Sequence, residues 1–516
     1  MRPLKRLTFI GCSEEVLMGK TLSDLLPDII REYILSQITP TQSEIQIQKE
    51  VINRLTQVLV NQADICEYAY SFIEAQGSTG KKQTQLRGAS DIDLFVGLKP
   101  EDYLDTLNKE GADRDDAIDL LMNGLVEKWF APAVESLDAE KIQRAFSQHP
   151  FLSLRMGGME IDILGCFDID AETLKLEGPI TAVDRTVHHS RYVSERLTEK
   201  KREDARILKS FVRAGHAYGD TCAVGRMGLT GVSLELIVIS TPNLERALYC
   251  LETLDMNPLD PLGRTLDDLR KIPAFRDDHI FLIDPTDPGR NVASSFTPRA
   301  YRWIQYRAKG FRESLESAEN GAIIGELIEK PVPVDNLPAW IEPHSYSYEF
   351  KSDGETHYTI LRDKIHRLAR MLQTQLTYER TGESRFGEIL TEVYFKDDRY
   401  ALGLFIEKPA ITQTYLRRGP PLQLDTAVQE FRSVHKNVIE VDGYLCVEEA
   451  REWTYAPSMI EKLLEENPID GLIPVVEKSS LSKQVLNVLY RYVLPIEPTF
   501  REKMTRVKHT EEGHGV

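Results

Sequence analysis

The sequence predicts an α+β protein built from several packed units, and three observations carry that expectation. The chain has 516 residues, more than one hydrophobic core uses, so two to four units are expected. Amphipathic stretches of helical spacing are interspersed with short apolar segments of strand character. A proline-rich stretch, Lys330-Pro-Val-Pro-Val-Asp-Asn-Leu-Pro338, reads as a linker.

Taken in order, residues 1–33 read as an extension ahead of the first long amphipathic pattern. From Ser43, the residues Ile45, Ile47, Val51, Ile52, Leu55, Val58 and Leu59 recur near the helical period. A strand is expected over 69–75, then a glycine-bearing segment over 77–88 and a second strand over 91–97. A polar helical stretch covers 103–128, and another strand is expected over 159–166. The best helix of the chain is 200–218. Ala205, Leu208, Phe211 and Val212 form its apolar side, and Arg202, Arg206, Lys209 and Arg213 form one stripe opposite. The most hydrophobic run, 231–239, carries Glu235. A helix over 298–317 interleaves Arg299, Arg302, Arg307, Lys309 and Arg312 with Tyr301, Trp303, Tyr306 and Phe311. Beyond the linker a helix over 359–376 alternates with strands at 389–395 and 400–406, and the last residues, 508–516, are expected to fray.

Composition narrows the class. The chain is 41% hydrophobic and 28% charged, which suits a soluble globular protein and is too apolar for a disordered one. No run approaches the roughly 18 to 20 apolar residues of a membrane span. The first residues lack a signal-peptide apolar core and cleavage site, so a cytoplasmic location is expected. Cys12, Cys66, Cys166, Cys222, Cys250 and Cys446 are scattered with no CxxC pair, which points away from a disulfide framework or a zinc site. Basic residues number 63 against 81 acidic ones, for a formal net charge of −18. That balance argues against a general nucleic-acid coat and leaves room for a locally basic groove.

The segment that carries chemistry is Gly77-Ser78-Thr79-Gly80-Lys81-Lys82-Gln83-Thr84, followed by Leu86-Arg87-Gly88-Ala89-Ser90-Asp91-Ile92-Asp93. Residues two apart on a strand share a face, so Asp91 and Asp93 project two carboxylates to one side. Hard oxygen ligands on a rigid element suit Mg²⁺, which keeps waters and substrate phosphates as further ligands. A Gly-Ser turn upstream offers backbone N–H groups and a hydroxyl to phosphate oxygens. A third carboxylate is expected from another strand: Asp162 is the first choice and Glu160, on the same face, the competing one.

This arrangement resembles the nucleotidyltransferase (polymerase beta-like) superfamily, and more narrowly the class I, archaeal-type CCA-adding enzymes, which are tRNA nucleotidyltransferases. Further stretches look like that family in the same order: Ile38-Thr39-Pro40 with Glu44, His149-Pro150-Phe151 leading into Glu160 to Phe167, and Asp184-Arg185-Thr186 with His188 and His189. They continue with Arg206 to Lys209, Ala217-Tyr218-Gly219, Gly228 to Gly231 with Glu235, Ile283 to Ala293, and Gly419-Pro420-Pro421. The resemblance spans about 34–505. It implies a palm-like head of mixed sheet and helices at 34–170, a helical nucleotide-binding domain at 171–320 and an α+β tRNA-binding body and tail at 330–507.

It also implies an activity: template-independent addition of C, C and A to the 3′ end of tRNA from CTP and ATP, by two-metal phosphoryl transfer with Mg²⁺. On that footing Asp91, Asp93 and Asp162 hold the metals. Gly77, Ser78, Lys81, Thr186, His189, Lys209, Tyr218 and Arg290 hold the nucleotide, and His149, with Gln148, lies near the RNA 3′ end. The partners are tRNA, CTP and ATP, with no membrane and a homodimer left open. Patches such as Lys364, Arg367, Arg370, Arg417 and Arg418 would clamp the tRNA. Read without the resemblance, the Lys209 stripe is better taken as a solvated helix face, Arg290 has the alternative of a surface turn arginine, and His189 is better taken as a capping or core histidine.

Two departures from the family pattern matter. The Gly-Ser loop is one residue longer, which shifts Lys81 or Lys82 relative to a triphosphate, and Leu229 and Val232 stand where aromatic residues are common. The stretch Leu86 to Asp91 also looks like the oligoadenylate-synthase branch. The alternatives are therefore another RNA-terminal or oligoadenylate-type nucleotidyltransferase, or an inactive RNA-binding relative.

Overall fold

The computed structural model describes residues 26–88, 91–146, 150–315 and 320–511. The expected extension at 1–33 falls outside the described residues up to 25, and the expected frayed end falls outside them from 512. The described chain forms two compact units. One holds the residues up to Gly219 together with Met227–Lys330; the other holds Asp220–Arg226 together with the chain from Pro331 onward. Both mix helices and sheet, so the α+β expectation holds.

The first unit begins with α1 (Asp28–Ile38) and α2 (Gln42–Cys66). Thr41 starts α2 with a reciprocal cap: its hydroxyl accepts the Glu44 N–H at 3.2 Å, and the Glu44 carboxylate accepts the Thr41 N–H at 2.7 Å. A five-stranded sheet follows, built from β1 (Phe72–Ala75), β2 (Ile92–Leu98), β3 (Lys141–Phe146), β4 (Pro150–Met156) and β5 (Met159–Phe167). Its spatial order is β1-β2-β5-β4-β3. Only β2 and β5 run parallel; their register pairs Asp93 with Asp162 and Leu94 with Ile163.

The two-residue period of β2 divides the sheet's faces by chemistry. Ile92, Leu94, Val96 and Leu98 join the large core beneath α2, together with Ile161, Ile163, Trp129 and Phe130. Trp129 is fully buried, and its indole N–H donates to the Leu59 carbonyl at 2.7 Å. On the other face, Phe95 and Cys166 pack against Val187 of α4 (Arg185–Arg196), α3 being Gly111–Leu125. Asp93 and Asp162 lie on this second face, two positions from the Phe95 contact.

The strand expected at 69–75 is confined to Phe72–Ala75, and the β3–β4 hairpin was not foreseen. Its first strand, with exposed Lys141, Ile142 and Arg144, carries no clean alternation to read. The expected helix at 200–218 is α5 (Glu199–Ala214), and the apolar run around Glu235 forms α6 (Gly231–Ser240). The basic-aromatic helix is α7 (Pro298–Leu315).

In the second unit, β6 (Ser345–Ser352), β7 (Ile389–Lys396), β8 (Arg399–Ile406) and β12 (Leu472–Val475) form a sheet in the order β12-β6-β8-β7. The helix α8 (Tyr358–Thr377) packs on it through Leu361, Ile365, Leu368 and Leu372. A second sheet, in the order β10-β11-β9, comprises β9 (Thr414–Pro421), β10 (Ile439–Val441) and β11 (Tyr444–Ala450).

Candidate active site

The carboxylates set the geometry. Because β2 and β5 are neighbours in register, Asp93 and Asp162 stand side by side on one face, and Asp91 precedes β2 by one residue. Ser153, opposite Asp162 on β4, hydrogen-bonds to its carboxylate. Burial, with the negative charges of Asp93, Asp91 and Glu160 added, pushes the Asp162 carboxyl up to about 7 even against that hydrogen bond. Burial also raises the Asp93 carboxyl, and the Lys82 ammonium opposes it. Carboxylates crowded and desolvated in this way are stabilised by a multivalent cation, so the donor set fits a divalent metal. Among the described residues no three His, Cys, Asp or Glu side chains form a ready-made metal cage. A hard cation that takes much of its shell from water and substrate phosphate does not require one.

The Gly-Ser loop lies directly against this pair. Gly77 has φ +68°, and a β-carbon there would sit 2.5 Å from the Asp93 Oδ2 atom. The position therefore excludes every side chain, by backbone conformation and by space. Thr79 donates to the Asp91 carbonyl at 2.8 Å, and the Thr84 N–H returns to the Ser78 carbonyl at 3.1 Å. Of the two loop lysines, Lys81 points outward to Glu74 on β1 at 2.5 Å. Lys82 turns inward and is 3% exposed. The expectation that Lys81 faces the nucleotide is replaced: the cation facing Asp93 is Lys82.

Behind the loop sits a buried ionic cluster. Glu235, 1% exposed, receives the Lys209 ammonium on Oε1 at 2.7 Å, and Lys82 lies 3.0 Å from Oε2. Thr84 donates its hydroxyl to Glu235 Oε1. Lys209 also donates to the Thr84 carbonyl at 3.1 Å and to its hydroxyl at 2.8 Å. Burial pushes the Glu235 carboxyl up, but Lys209 and Lys82 outweigh it and hold the group down at about 2. The basic stripe of α5 is thus no solvated face. Arg202 donates to the Lys82 carbonyl, Arg206 to the Gln83 carbonyl, and Lys209 to Thr84. Each grips the loop.

Thr186, His189, Tyr218 and Arg290 converge on the same place. Thr186 and His189 lie three apart on α4, one turn of the same face. Asp184 anchors the start of that helix to the end of β5, accepting N–H groups from Phe167 and Thr181. Arg290 lies in a loop shaped by Asp284 and Asp287, whose carboxylates accept the Thr286 and Gly289 N–H groups. Arg185 on α4 pairs with Asp287 at 2.5 Å and fixes this loop to the helix. Arg290 donates to Asp284 at 3.3 Å and to the Nδ1 atom of His189 at 3.4 Å. A guanidinium only donates, so His189 accepts at Nδ1 and keeps its proton on Nε2. Burial, followed by the charges of Lys82 and Arg290, drives the His189 imidazolium well below its usual range, so the ring is neutral. The Tyr218 hydroxyl is raised by burial and by the charges of Glu235 and Asp91, and it lies close against Gly231. His149 and Gln148 lie outside the described residues.

Reasoning from sequence placed Lys81 rather than Lys82 at the site and gave no role to Glu235, Thr84 or Ser153. Glu235 left a signal, a lone acid in the chain's most apolar run. Of the basic residues proposed for the second unit, Arg417 is paired with Glu449 at 2.8 Å, Lys364 with Asp470 at 3.1 Å, and Arg418 stacks on the Tyr444 ring.

Paired strand carboxylates, a Gly-Ser loop against them and a shell of cations are the groups that metal-assisted phosphoryl transfer calls for. A family model described as tRNA nucleotidyltransferase, second domain, matches residues 203–319. The chain is 27% identical over 401 residues to the CCA-adding enzyme of Thermoplasma acidophilum, covering 77% of this chain and 79% of that one. It is 26% identical over 415 residues to the CCA-adding enzyme of Thermococcus gammatolerans, with 78% and 79% covered. The solved structure of a cytoplasmic RNA terminal U-transferase overlaps 59% of this chain and 100% of its own, at a TM-score of 0.42 and 12% identity. The chain is thus similar over about three quarters of its length to CCA-adding enzymes, and part of it matches a tRNA nucleotidyltransferase domain.

Proposed function

We propose that this protein adds C, C and A to the 3′ end of tRNA, taking CTP and ATP as substrates and Mg²⁺ as its divalent ion, with no nucleic-acid template. The observation that carries the reading is the in-register pairing of Asp93 with Asp162 on adjacent parallel strands, inside a chain similar over three quarters of its length to CCA-adding enzymes. No described helix is long and apolar enough to cross a membrane, and the reading puts the work in the cytoplasm.

Asp91, Asp93 and Asp162 would hold the metal. Bound there, divalent ions would supply Lewis-acid chemistry, activating the RNA 3′-hydroxyl and neutralising the triphosphate. The protein's own part is positioning and electrostatics. Lys82 brings positive charge to the carboxylate face. Gly77 lets the loop backbone approach, and Ser78 and Thr186 offer hydroxyls to phosphate and sugar. Arg290 and the neutral His189 form one rigid donor pair suited to the edge of a base. Tyr218 and Lys209 line the wall behind it.

The test is incorporation into a tRNA transcript lacking its terminal CCA. CTP alone should add two residues and stop, and ATP should then add one. Long A tails or 2′–5′ linked products would replace this reading with an oligoadenylate-type activity.

A further inference from the structure

The ionic cluster behind the loop holds two lysines that are in different states. Lys209 is saturated: its three N–H donors go to the Thr84 carbonyl, the Thr84 hydroxyl and Glu235 Oε1. Lys82 instead faces Glu235 Oε2 at 3.0 Å without hydrogen-bonding geometry, since that oxygen lacks a hydrogen-bond partner. Charge holds Lys82 in place, in contrast to the three acceptors that hold Lys209. The cluster carries two positive charges and one negative, all within a few per cent of full burial. Its surplus positive charge faces the Asp93 side.

We propose that Glu235 is a positioning residue: one carboxylate oxygen clamps Lys209 and Thr84 as a fixed anchor for the loop, and the other steers the Lys82 ammonium toward the triphosphate bound beside Asp93 and Asp162. Lys209 is thereby the anchor and Lys82 the residue that meets phosphate. The proposal rests on the nucleotidyltransferase reading and adds to it a carboxylate that touches neither metal nor nucleotide. The apolar run of α6 serves the site by burying that carboxylate, which strengthens its hold on both ammoniums.

The decisive experiment is a double-mutant cycle on the full-length protein, reading kcat and KM for CTP with a CCA-less tRNA and, separately, tRNA affinity. Glu235→Gln should raise KM for CTP about tenfold or more and change kcat less, with tRNA affinity unchanged. Lys82→Met should do the same. The double variant should show the KM of Lys82→Met alone, because one residue acts through the other. Glu235→Asp should recover part of the loss. If Glu235→Gln leaves KM unchanged, or if the double variant multiplies the two defects, the proposal is overturned. Should Glu235→Gln fail to fold, Thr84→Val tests the same clamp: a KM defect supports the proposal and an unchanged KM ends it. A wild-type protein that adds no C or A would instead overturn the underlying reading.

Discussion

At the scale of single residues, burial and pairing decide which cation serves the site. Lys81 is an exposed ion pair with Glu74, of the kind worth about 0–1 kcal/mol. Lys82 is buried against Glu235 and faces Asp93. Lys81→Ala should therefore leave C addition within about threefold of wild type, whereas Lys82→Ala should cost about tenfold or more in kcat/KM. Glu235 gives a pH prediction with a definite sign. Its carboxyl sits at about 2 in the folded protein against an ordinary 4.5. A depressed acid stabilises the fold above its unfolded value and loses that contribution as pH falls through the folded one. The stability gap between wild type and Glu235→Gln in urea melts should be full at pH 7, about 3–5 kcal/mol for a broken buried pair. It should shrink steadily below about pH 4.5. A gap that stays constant down to pH 3 would place the charge elsewhere. Sequence could name the carboxylates because a strand's period is two. It could not choose between Lys81 and Lys82, whose directions depend on the turn between Gly77 and Gln83.

At the scale of elements, the site exists because one strand does two jobs. The even-numbered residues of β2 build the core and the odd-numbered ones face α4, so placing Leu94 in the core also places Asp93 on the working face. That logic was legible from Asp91-Ile92-Asp93-Leu94, as were the strand at Met159–Phe167 and the helices at Glu199–Ala214 and Tyr358–Thr377. The β3–β4 hairpin and the β9–β11 sheet were not, because partly exposed strands with many charged residues lack the apolar alternation that marks a half-buried one. The stripe on α5 stayed open for a related reason: periodicity shows that four basic residues share a side, not what that side meets. The loop supplies the prediction at this scale. Gly77→Ala forces a side chain into both a glycine-only backbone region and the Asp93 carboxylate. It should destabilise by about 1–3 kcal/mol and lower C addition by far more than that loss of stability accounts for, measured by urea melts alongside single-turnover rates.

At the scale of the whole molecule, the chain passes between its two units more than once. Residues Asp220–Arg226 leave the first unit after Gly219 and belong to the second. There the Arg362 guanidinium donates to the Asp220 carbonyl at 3.1 Å, the Tyr358 hydroxyl donates to the Asp220 carboxylate at 2.8 Å, and the Gly225 N–H donates to Glu392. The linker at 330–338 is therefore not a clean boundary, which the proline-rich composition alone did not disclose. Arg362→Ala should lower stability by about 1–3 kcal/mol through the loss of a charged, largely buried donor, read as a fall in the melting temperature of the full-length protein.

The central claim is that Asp93 and Asp162 form one metal-holding unit. It is tested most directly by single-turnover incorporation of CMP into a CCA-less tRNA by Asp93→Asn, Asp162→Asn and the double variant, with tRNA affinity measured in parallel. Groups that act as a unit are non-additive. All three variants should fall to the same residual rate while still binding tRNA. A variant that keeps wild-type incorporation, or a double variant slower than either single by the product of their defects, would contradict the account.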